Sequence, residues 1–146
     1  MPLNGPKERI TIRSLGVILF TALMLGSWTA TPAHADVVLN APYVLSHDDS
    51  VSSAAARLVL QRDGNLVVYD EFNSPRWASN TVHRGHRAVF QTDGNFVVYT
   101  VSGKPVWASG THGHPGSRLS VQDDGNVVIY DGSQAIWATG TDHLAR

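Results

Sequence analysis

Five residue types recur at every second position in three segments of the chain. The segments read QRDGNLVVYD, QTDGNFVVYT and QDDGNVVIYD, and each keeps the order QxDxNxVxY. A carboxylate accepts hydrogen bonds, whereas the side chains of Asn, Gln and Tyr both donate and accept them. Grouped on one surface, such side chains favour a hydroxyl-rich ligand. The candidate binding residues are Gln61, Asp63, Asn65, Val67, Tyr69, Gln91, Asp93, Asn95, Val97, Tyr99, Gln122, Asp124, Asn126, Val128 and Tyr130.

The geometry of each motif depends on whether its Asp-Gly pair is a turn. Asp-Gly is a strong hairpin signal, but alternate residues of a strand share one face. The alternation continues through the pair in all three copies, so we interpret residues 61–69, 91–99 and 122–130 each as one strand. Its polar face points outward, and Gly64, Gly94 and Gly125 lie on the core side, where backbones approach closely.

The motifs belong to a repeat that runs from an arginine to a threonine. The copies are Arg57 to Thr81, Arg87 to Thr111 and Arg118 to Thr141. Strand-forming residues separated by Pro, Gly and Ser predict an all-β protein. A unit this short cannot bury its own apolar face, so three units must pack together around an axis. One tryptophan from each is expected near the centre: Trp77, Trp107 and Trp137.

The segments outside the repeats complete this arrangement. We interpret residues 36–56 as one or two strands that complete the first unit. A C-terminal strand around residues 135–141 is expected to pair with that leading stretch or with another subunit. The arginines Arg57, Arg87 and Arg118 are expected either to border the binding face or to pair with a nearby acid.

The triplicated QxDxNxVxY motif resembles the signature of the bulb-type mannose-binding lectins. The resemblance covers residues 36–146 and includes the strings WASNT, WASGT and WATGT. It implies a β-prism of three four-stranded antiparallel sheets with pseudo-threefold symmetry and one sugar site per sheet. It also implies that Asp and Asn hold the mannose 2-hydroxyl, Gln the 3-hydroxyl and Tyr the 4-hydroxyl, while Val packs on the ring. Dimerisation through exchange of C-terminal strands is a further possibility that it raises.

The N-terminal region has the layout of a secretory signal peptide. Lys7, Arg9 and Arg13 precede an apolar run from Leu15 to Leu25, and residues 33–35 form an Ala-x-Ala pattern. The run has about eleven residues, whereas a membrane-spanning helix needs about twenty. We therefore expect cleavage before Asp36, which would leave residues 36–146 as a secreted, extracellular lectin domain.

Charge and residue types exclude several other functions. Without residues 1–35, the chain keeps eight basic and eleven acidic residues, a net charge of −3. This charge argues against nucleic acid and anionic membrane surfaces as partners. No cysteine is present, and the paired histidines at 83/86 and 112/114 lack further ligands at metal-site spacing. We expect no metal, no cofactor and no membrane insertion.

On its predicted binding face each motif has one carboxylate beside amides, whereas glycosidases use two acids. The sequence therefore favours a non-enzymatic lectin that binds mannose-containing glycans. The alternative is a lectin-like antimicrobial or growth-inhibiting protein that targets such glycans on other cells.

Overall fold

The computed structural model describes residues 35–145, so the predicted signal peptide lies outside the described residues except for Ala35. Twelve short strands and no helix form this part of the chain, and none of it could cross a membrane as a helix. The strands are β1 Val37–Asn40, β2 Tyr43–Leu45, β3 Ser50–Ser52, β4 Arg57–Leu60, β5 Leu66–Tyr69, β6 Pro75–Ala78, β7 Arg87–Phe90, β8 Phe96–Tyr99, β9 Pro105–Ala108, β10 Arg118–Val121, β11 Val127–Asp131 and β12 Gln134–Ala138.

The strands form three four-stranded antiparallel sheets, as predicted. The first sheet has the order β3-β4-β5-β6, the second β2-β7-β8-β9 and the third β1-β10-β11-β12. Each repeat supplies the last three strands of one sheet, in the same register. Arg57 pairs with Tyr69, Arg87 with Tyr99 and Arg118 with Tyr130. The all-β prism with pseudo-threefold symmetry is therefore confirmed.

The leading stretch does more than complete the first unit. It forms three strands, β1 to β3, and each joins a different sheet. The expectation of one or two strands for the first unit was wrong. A three-stranded repeat leaves an edge of unpaired N–H and C=O groups, and each sheet covers that edge with one strand of this segment.

The C-terminal strand also differs from the expectation. β12 pairs with β11 of its own repeat, and its Trp137 lies opposite Ile129. The leading stretch pairs with β10 instead. The predicted pairing of the two ends with each other was wrong, because each sheet is already complete when its first strand comes from the leading stretch.

The core lies between the three sheets and is lined by alternate residues of their strands. Leu58, Leu60, Leu66 and Val68 of the first sheet are fully buried, as are their counterparts in the others. Trp77, Trp107 and Trp137 meet edge to face, with ring centroids 5.3, 5.7 and 5.6 Å apart. Such contacts suit the ring quadrupoles, and the predicted meeting of the three tryptophans is confirmed.

The motifs are hairpins, so the prediction of one continuous strand was wrong. In the first copy, β4 ends at Leu60 and β5 begins at Leu66. The Gln61 N–H donates to the Asn65 carbonyl over 2.9 Å, and the Gly64 N–H donates to the Gln61 carbonyl over 2.8 Å. Gly64 has φ 91°, which favours glycine. The second and third copies repeat these bonds and have φ of 90° and 100° at their glycines.

The turn accounts for part of the residue identity that suggested a strand. In each copy, one Asp oxygen accepts the N–H two residues later: Asp63 from Asn65, Asp93 from Asn95 and Asp124 from Asn126, over 2.9 to 3.0 Å. This is an Asx turn, which Asp and Asn side chains form by hydrogen bonding to nearby backbone. Asp and Gly therefore have a conformational reason to recur, whereas their role in binding stays a prediction. The predicted close backbone approach at the glycine is correct, because a Cβ on Gly64 would lie 2.7 Å from the Gly85 carbonyl oxygen.

Candidate functional site

The hairpin brings the first and last residues of each motif into contact. The side-chain amide of Gln61 donates from Nε2 to the Tyr69 hydroxyl, and Gln91 does the same to Tyr99. In the third copy, Gln122 Nε2 lies 2.7 Å from the Tyr130 hydroxyl. Because the amide nitrogen is used in this bond, Gln presents its carbonyl oxygen as an acceptor. The tyrosine oxygen accepts this bond and keeps its own hydrogen to donate.

The asparagine of each motif is held by the backbone that follows the tryptophan strand. Asn65 Oδ1 accepts the Thr81 N–H over 3.0 Å. Asn95 Oδ1 accepts from Gly110 and Thr111, and Asn126 Oδ1 accepts from Gly140 and Thr141, over 3.0 to 3.2 Å. A backbone N–H only donates, so the amide oxygen is directed to the protein and Nδ2 is the end that can donate to a ligand.

The threonines of the repeated WASNT, WASGT and WATGT strings fasten this backbone to the motif turn. Thr81 Oγ1 donates to the Gly64 carbonyl over 2.7 Å, and Thr111 and Thr141 repeat the bond to Gly94 and Gly125 over 2.6 Å. All three threonines are buried. Sequence analysis assigned them no role, although their recurrence at a fixed distance from the tryptophan was the signal that could have identified them.

The backbone of the segment that follows each of these threonines also supports the turn of the motif. The N–H groups of His83, His114 and His143 donate to the carbonyls of Asp63, Asp93 and Asp124 over 2.6, 2.9 and 2.8 Å. These histidines therefore support the motif turns through their backbone N–H groups. Within residues 35–145, no group of three or more His, Asp or Glu side chains has the arrangement of a metal site.

The arginines that begin the repeats cover the motif tyrosines. The guanidinium carbon lies 4.7 Å from the ring centroid in the Arg57–Tyr69 and Arg118–Tyr130 pairs, and 5.0 Å in the Arg87–Tyr99 pair. The geometry is that of a cation–π contact. Among the ion pairs of the described segment, none includes these arginines. Of the two expectations, bordering the motif is correct and pairing with an acid is wrong.

The valines of the motifs are buried. Val67, Val97 and Val128 are each 3% exposed. They therefore offer a ligand only a small apolar surface. Each motif hairpin thus carries a Gln acceptor, a Tyr donor, an Asp acceptor and an Asn donor.

Solved structures of similar chains share this architecture. A monomeric monocot mannose-binding lectin from Gastrodia elata is 36% identical, with a TM-score of 0.65; the match covers 75% of this chain and 99% of that one. The snowdrop (Galanthus nivalis) agglutinin, solved with methyl-α-D-mannoside, is 38% identical with a TM-score of 0.57, covering 75% and 98%. The Marasmius oreades lectin is 28% identical with a TM-score of 0.64, covering 75% and 93%. No protein-family model matches the chain, and no curated protein matches it significantly.

The chain belongs to the bulb-type mannose-binding lectin family. An identity above 30% over nearly the full length of the matched lectins establishes this membership. The resemblance drawn from the motif residues is therefore confirmed, whereas the role of each motif residue stays a prediction.

The three motif surfaces of this bulb-type lectin differ in exposure. Gln122 and Asp124 of the third motif are only 4% and 7% exposed, whereas Asp63 and Asp93 are exposed. The third motif is enclosed by other segments. The Asp36 carboxylate accepts the Asp123 N–H over 2.9 Å, and Ser53 Oγ donates to the Gln122 carbonyl over 2.7 Å. Two residues that precede the first repeat, Asp36 and Ser53, therefore hold the backbone of the third motif.

An ion pair beside the third motif has shifted pKa values. His143 Nδ1 lies 2.8 Å from the Thr141 carbonyl oxygen, and Nε2 lies 2.9 Å from the Glu71 carboxylate. Both neighbours are acceptors, and only the protonated ring donates from both nitrogens. The bond to Thr141, followed by the bond to Glu71, raises the pKa of His143 above its ordinary value. The same pairing lowers the pKa of Glu71.

Proposed function

We propose that this bulb-type lectin is a secreted, non-enzymatic protein that binds terminal mannose through the three QxDxNxVxY motifs. The observation that carries the proposal is the same hydrogen-bonded arrangement of donors and acceptors on three hairpins, although Gln122 and Asp124 of the third are less exposed than their counterparts. In each hairpin, a backbone N–H bonds the Asn amide oxygen and leaves the amide nitrogen directed outward. The Gln–Tyr bond orients the Gln amide and the Tyr hydroxyl. The methyl-α-D-mannoside complex of the snowdrop lectin, 38% identical, supports mannose as the ligand.

The polar groups complement a sugar hydroxyl, which donates one hydrogen bond and accepts others. A carboxylate such as Asp63 accepts from the 2-hydroxyl, and the Asn65 amide nitrogen donates to it. The Gln61 carbonyl accepts from the 3-hydroxyl, the Tyr69 hydroxyl bonds the 4-hydroxyl, and Val67 supports the ring. The axial 2-hydroxyl distinguishes mannose from glucose. The wrong epimer leaves the Asp and Asn groups unpaired, and an unpaired buried polar group is costly.

Three sites act together on glycan-rich surfaces. Each has one Asp at the third position of its motif beside amide groups, which supports binding without hydrolysis. Weak single-site binding becomes strong when several sites engage a surface dense in terminal mannose. Mannose-containing glycans are thus the proposed partners, and a homodimer formed by exchange of C-terminal strands would double the number of sites. Light scattering of the purified protein tests that dimer.

Retention on mannan-agarose tests the sugar-binding proposal. The full chain is expected to bind and to elute with methyl mannoside but not with methyl galactoside. Asp63→Asn, Asp93→Asn and Asp124→Asn together keep the turn acceptor and remove the charge, so the fold persists while retention is lost. Asp142→Asn, outside the motifs, is the matched control and is expected to be retained. Retention of the triple variant would show that these surfaces are not the sites.

Secretion is tested separately from sugar binding. When the full-length gene is expressed in a host with a secretory pathway, the protein recovered from the medium is expected to begin at Asp36. Its intact mass measures this directly, and a cell-retained protein that begins at Met1 would contradict secretion without affecting the sugar sites.

A further inference from the structure

Buried polar side chains in residues 35–145 form hydrogen bonds within the protein, with one exception. The exception is Ser120, in β10 of the third sheet. It is 3% exposed, and its hydroxyl has no partner in the described part of the chain. A buried hydroxyl without a partner costs free energy, and because such groups are rare in folded proteins, this one calls for an explanation.

Ser120 lies on the face of the third sheet that carries the motif. Its neighbours Leu119 and Val121 belong to the core, and successive residues of a strand point to opposite faces, so Ser120 points away from the core. Strand pairing places it opposite Val128, the valine of the third motif, and the two residues have the same exposed fraction of 3%. Side chains paired across strands lie close together. A sugar ring that contacts Val128 therefore comes within reach of Ser120.

The corresponding positions of the other two sheets carry valine. Val59 lies opposite Val67 in the first sheet, and Val89 lies opposite Val97 in the second. In these positions the first two sheets therefore offer a ligand only apolar side chains, whereas the third offers a hydroxyl. Because the five motif residue types are the same in all three copies, Ser120 is a chemical difference within an otherwise repeated site.

The register also places Ser120 beside the bond that joins the two ends of the third motif. Gln122 follows Ser120 by two residues, and Tyr130 pairs with Arg118, two residues before Ser120. The Gln122–Tyr130 bond of 2.7 Å therefore crosses the Ser120–Val128 pair diagonally. In the proposed binding mode, Gln and Tyr hold the 3- and 4-hydroxyls of mannose. Ser120 is thus next to the edge of the sugar that carries these two hydroxyls.

We propose that Ser120 is a specificity-determining residue of the third site, and that its hydroxyl bonds the 3- or the 4-hydroxyl of the bound mannose. The inference rests on the proposed mannose binding and deepens it, because it makes the third site chemically different from the other two. A sugar hydroxyl both donates and accepts, so it supplies the partner that Ser120 lacks in the protein. The third site gains one hydrogen bond that Val59 and Val89 cannot form.

Substitutions of Ser120 in a chain with one intact motif test this contact. Asp63→Asn and Asp93→Asn in the full chain leave the third motif intact, and titration of this parent chain with methyl α-mannoside gives the dissociation constant. Ser120→Val and Ser120→Ala are both expected to raise that constant about 2- to 12-fold, the range of one net hydrogen bond. Ser120→Thr has the shape of the valine variant and keeps the hydroxyl, so it should retain most of the affinity.

The thermal midpoint separates this role from a structural one. Val89 of the second sheet lies between Val44 and Val97, and Ser120 lies between the same residue types, so a valine fits at position 120. Since Ser120→Val removes a buried hydroxyl without a partner, its midpoint should equal or exceed that of the parent chain, although the sugar binds more weakly. A midpoint that falls together with the affinity in both Ser120→Val and Ser120→Ala would show a structural role and overturn the proposal.

Deoxy sugars identify the hydroxyl that Ser120 contacts. The 3-deoxy and 4-deoxy analogues of methyl mannoside each lack one group of the adjacent edge. One of them is expected to bind the parent chain and Ser120→Val with equal affinity, because the bond to Ser120 is absent from both complexes. If both analogues still bind Ser120→Val more weakly than the parent chain, Ser120 contacts neither hydroxyl and the proposal is wrong.

A chain that keeps only the second motif, with Asp63→Asn and Asp124→Asn, is the control for remote effects. Ser120→Val should leave its affinity unchanged, and a loss there would mean that the substitution acts through the fold.

The remaining outcomes separate the two proposals. Equal affinity of the parent chain, Ser120→Ala and Ser120→Val for methyl mannoside overturns the Ser120 proposal alone. So does a parent chain that binds no mannoside while the protein with all three motifs does. If that protein also fails to bind methyl mannoside, the mannose-binding proposal fails and the Ser120 proposal with it.

Discussion

His143 Nε2 lies 2.9 Å from the Glu71 carboxylate, although 72 positions separate the two residues in the chain. Glu71 is in the turn between β5 and β6 of the first sheet, and His143 follows the last strand of the third. The backbone N–H of His143 also donates to the backbone carbonyl of Asp124 in the third motif. The pair therefore connects the end of the described chain to the first sheet and supports the third motif at the same time.

We predict that this connection stabilises the protein within a limited pH window. The pKa of His143 is raised from 6.5. Its contribution to the free energy of unfolding is therefore present below pH 6.5 and is lost as pH rises through the raised pKa. The pKa of Glu71 is lowered from 4.5, so its contribution is present above that value and is lost as pH falls through the lowered pKa. The coupling between the two residues should therefore be largest between pH 4.5 and 6.5.

Urea unfolding of the wild type, His143→Gln, Glu71→Gln and the double variant across pH 3 to 9 measures this coupling free energy. We expect this coupling to have a bell-shaped dependence on pH, with the acidic side set by Glu71 and the alkaline side by His143. A coupling that stays constant over this range would show that the pair is not ionised as the geometry indicates.

A second prediction concerns the asparagine that the turn backbone orients. Asn95→Asp keeps an oxygen to accept from Gly110 and Thr111, but it replaces the outward donor with a charged acceptor beside Asp93. Two acceptors cannot both satisfy one hydroxyl, so mannoside affinity at the second site should fall by at least about tenfold, the effect of losing a hydrogen bond that involves a charged group.

The measurement is a titration with methyl mannoside in a chain whose first and third motifs carry Asp→Asn. The thermal midpoint of Asn95→Asp is the control for folding and should change little. If affinity is unaffected, the Asn95 amide nitrogen does not face the sugar.

These outcomes depend on features that the sequence predicted to different degrees. The repeat and its tryptophans predicted the fold class and the three sites, because a short unit with one apolar face must pack against copies of itself. The Asp-Gly turn was missed because a turn and a binding strand both explain why the same residues recur. The turn needs Asp63 for its Asx bond and Gly64 for its left-handed backbone. The three-way division of residues 36–56 and the His143–Glu71 pair depend on contacts distant in sequence, which no local pattern in the chain encodes.

A third prediction tests the close packing behind the first motif turn. A Cβ at Gly85 would overlap the Gly64 carbonyl, which is also the acceptor for Thr81 Oγ1. Gly85→Ala should therefore destabilise the protein by about 1–3 kcal/mol, the usual cost of overpacking a well-filled site. It should also weaken the first site more than the second or third.

Chemical denaturation measures the loss of stability, and mannoside titrations of single-site chains measure the effect on each site. Gly103→Ala is the control for substitution itself, because no atom lies within 4 Å of its Cβ position and only its φ of 90° opposes the change. A Gly85 variant as stable as wild type would mean that the turn relaxes without cost.

The last prediction assigns the repeat arginines a positioning role. Arg87 lies over the Tyr99 ring at 5.0 Å, and a cation in this position attracts the ring by about 0.5–1 kcal/mol at an exposed site. By holding the ring, it keeps the Tyr99 hydroxyl on the Gln91 amide and its hydrogen directed to the ligand. Arg87→Met preserves the length of the side chain and removes the charge, so mannoside affinity at the second site should fall about two- to fivefold.

A structural role alone would lower stability without changing selectivity, so the informative measurement is discrimination between methyl mannoside and its 4-deoxy analogue. In the wild type, the 4-deoxy sugar is expected to bind more weakly, because the Tyr99 hydroxyl loses its partner. Arg87→Met should reduce that difference, and Arg87→Lys should restore much of it by returning a cation to the ring face. If Arg87→Met keeps the full difference in affinity between methyl mannoside and its 4-deoxy analogue, Tyr99 holds its orientation without the arginine, and the bond from Gln91 is sufficient.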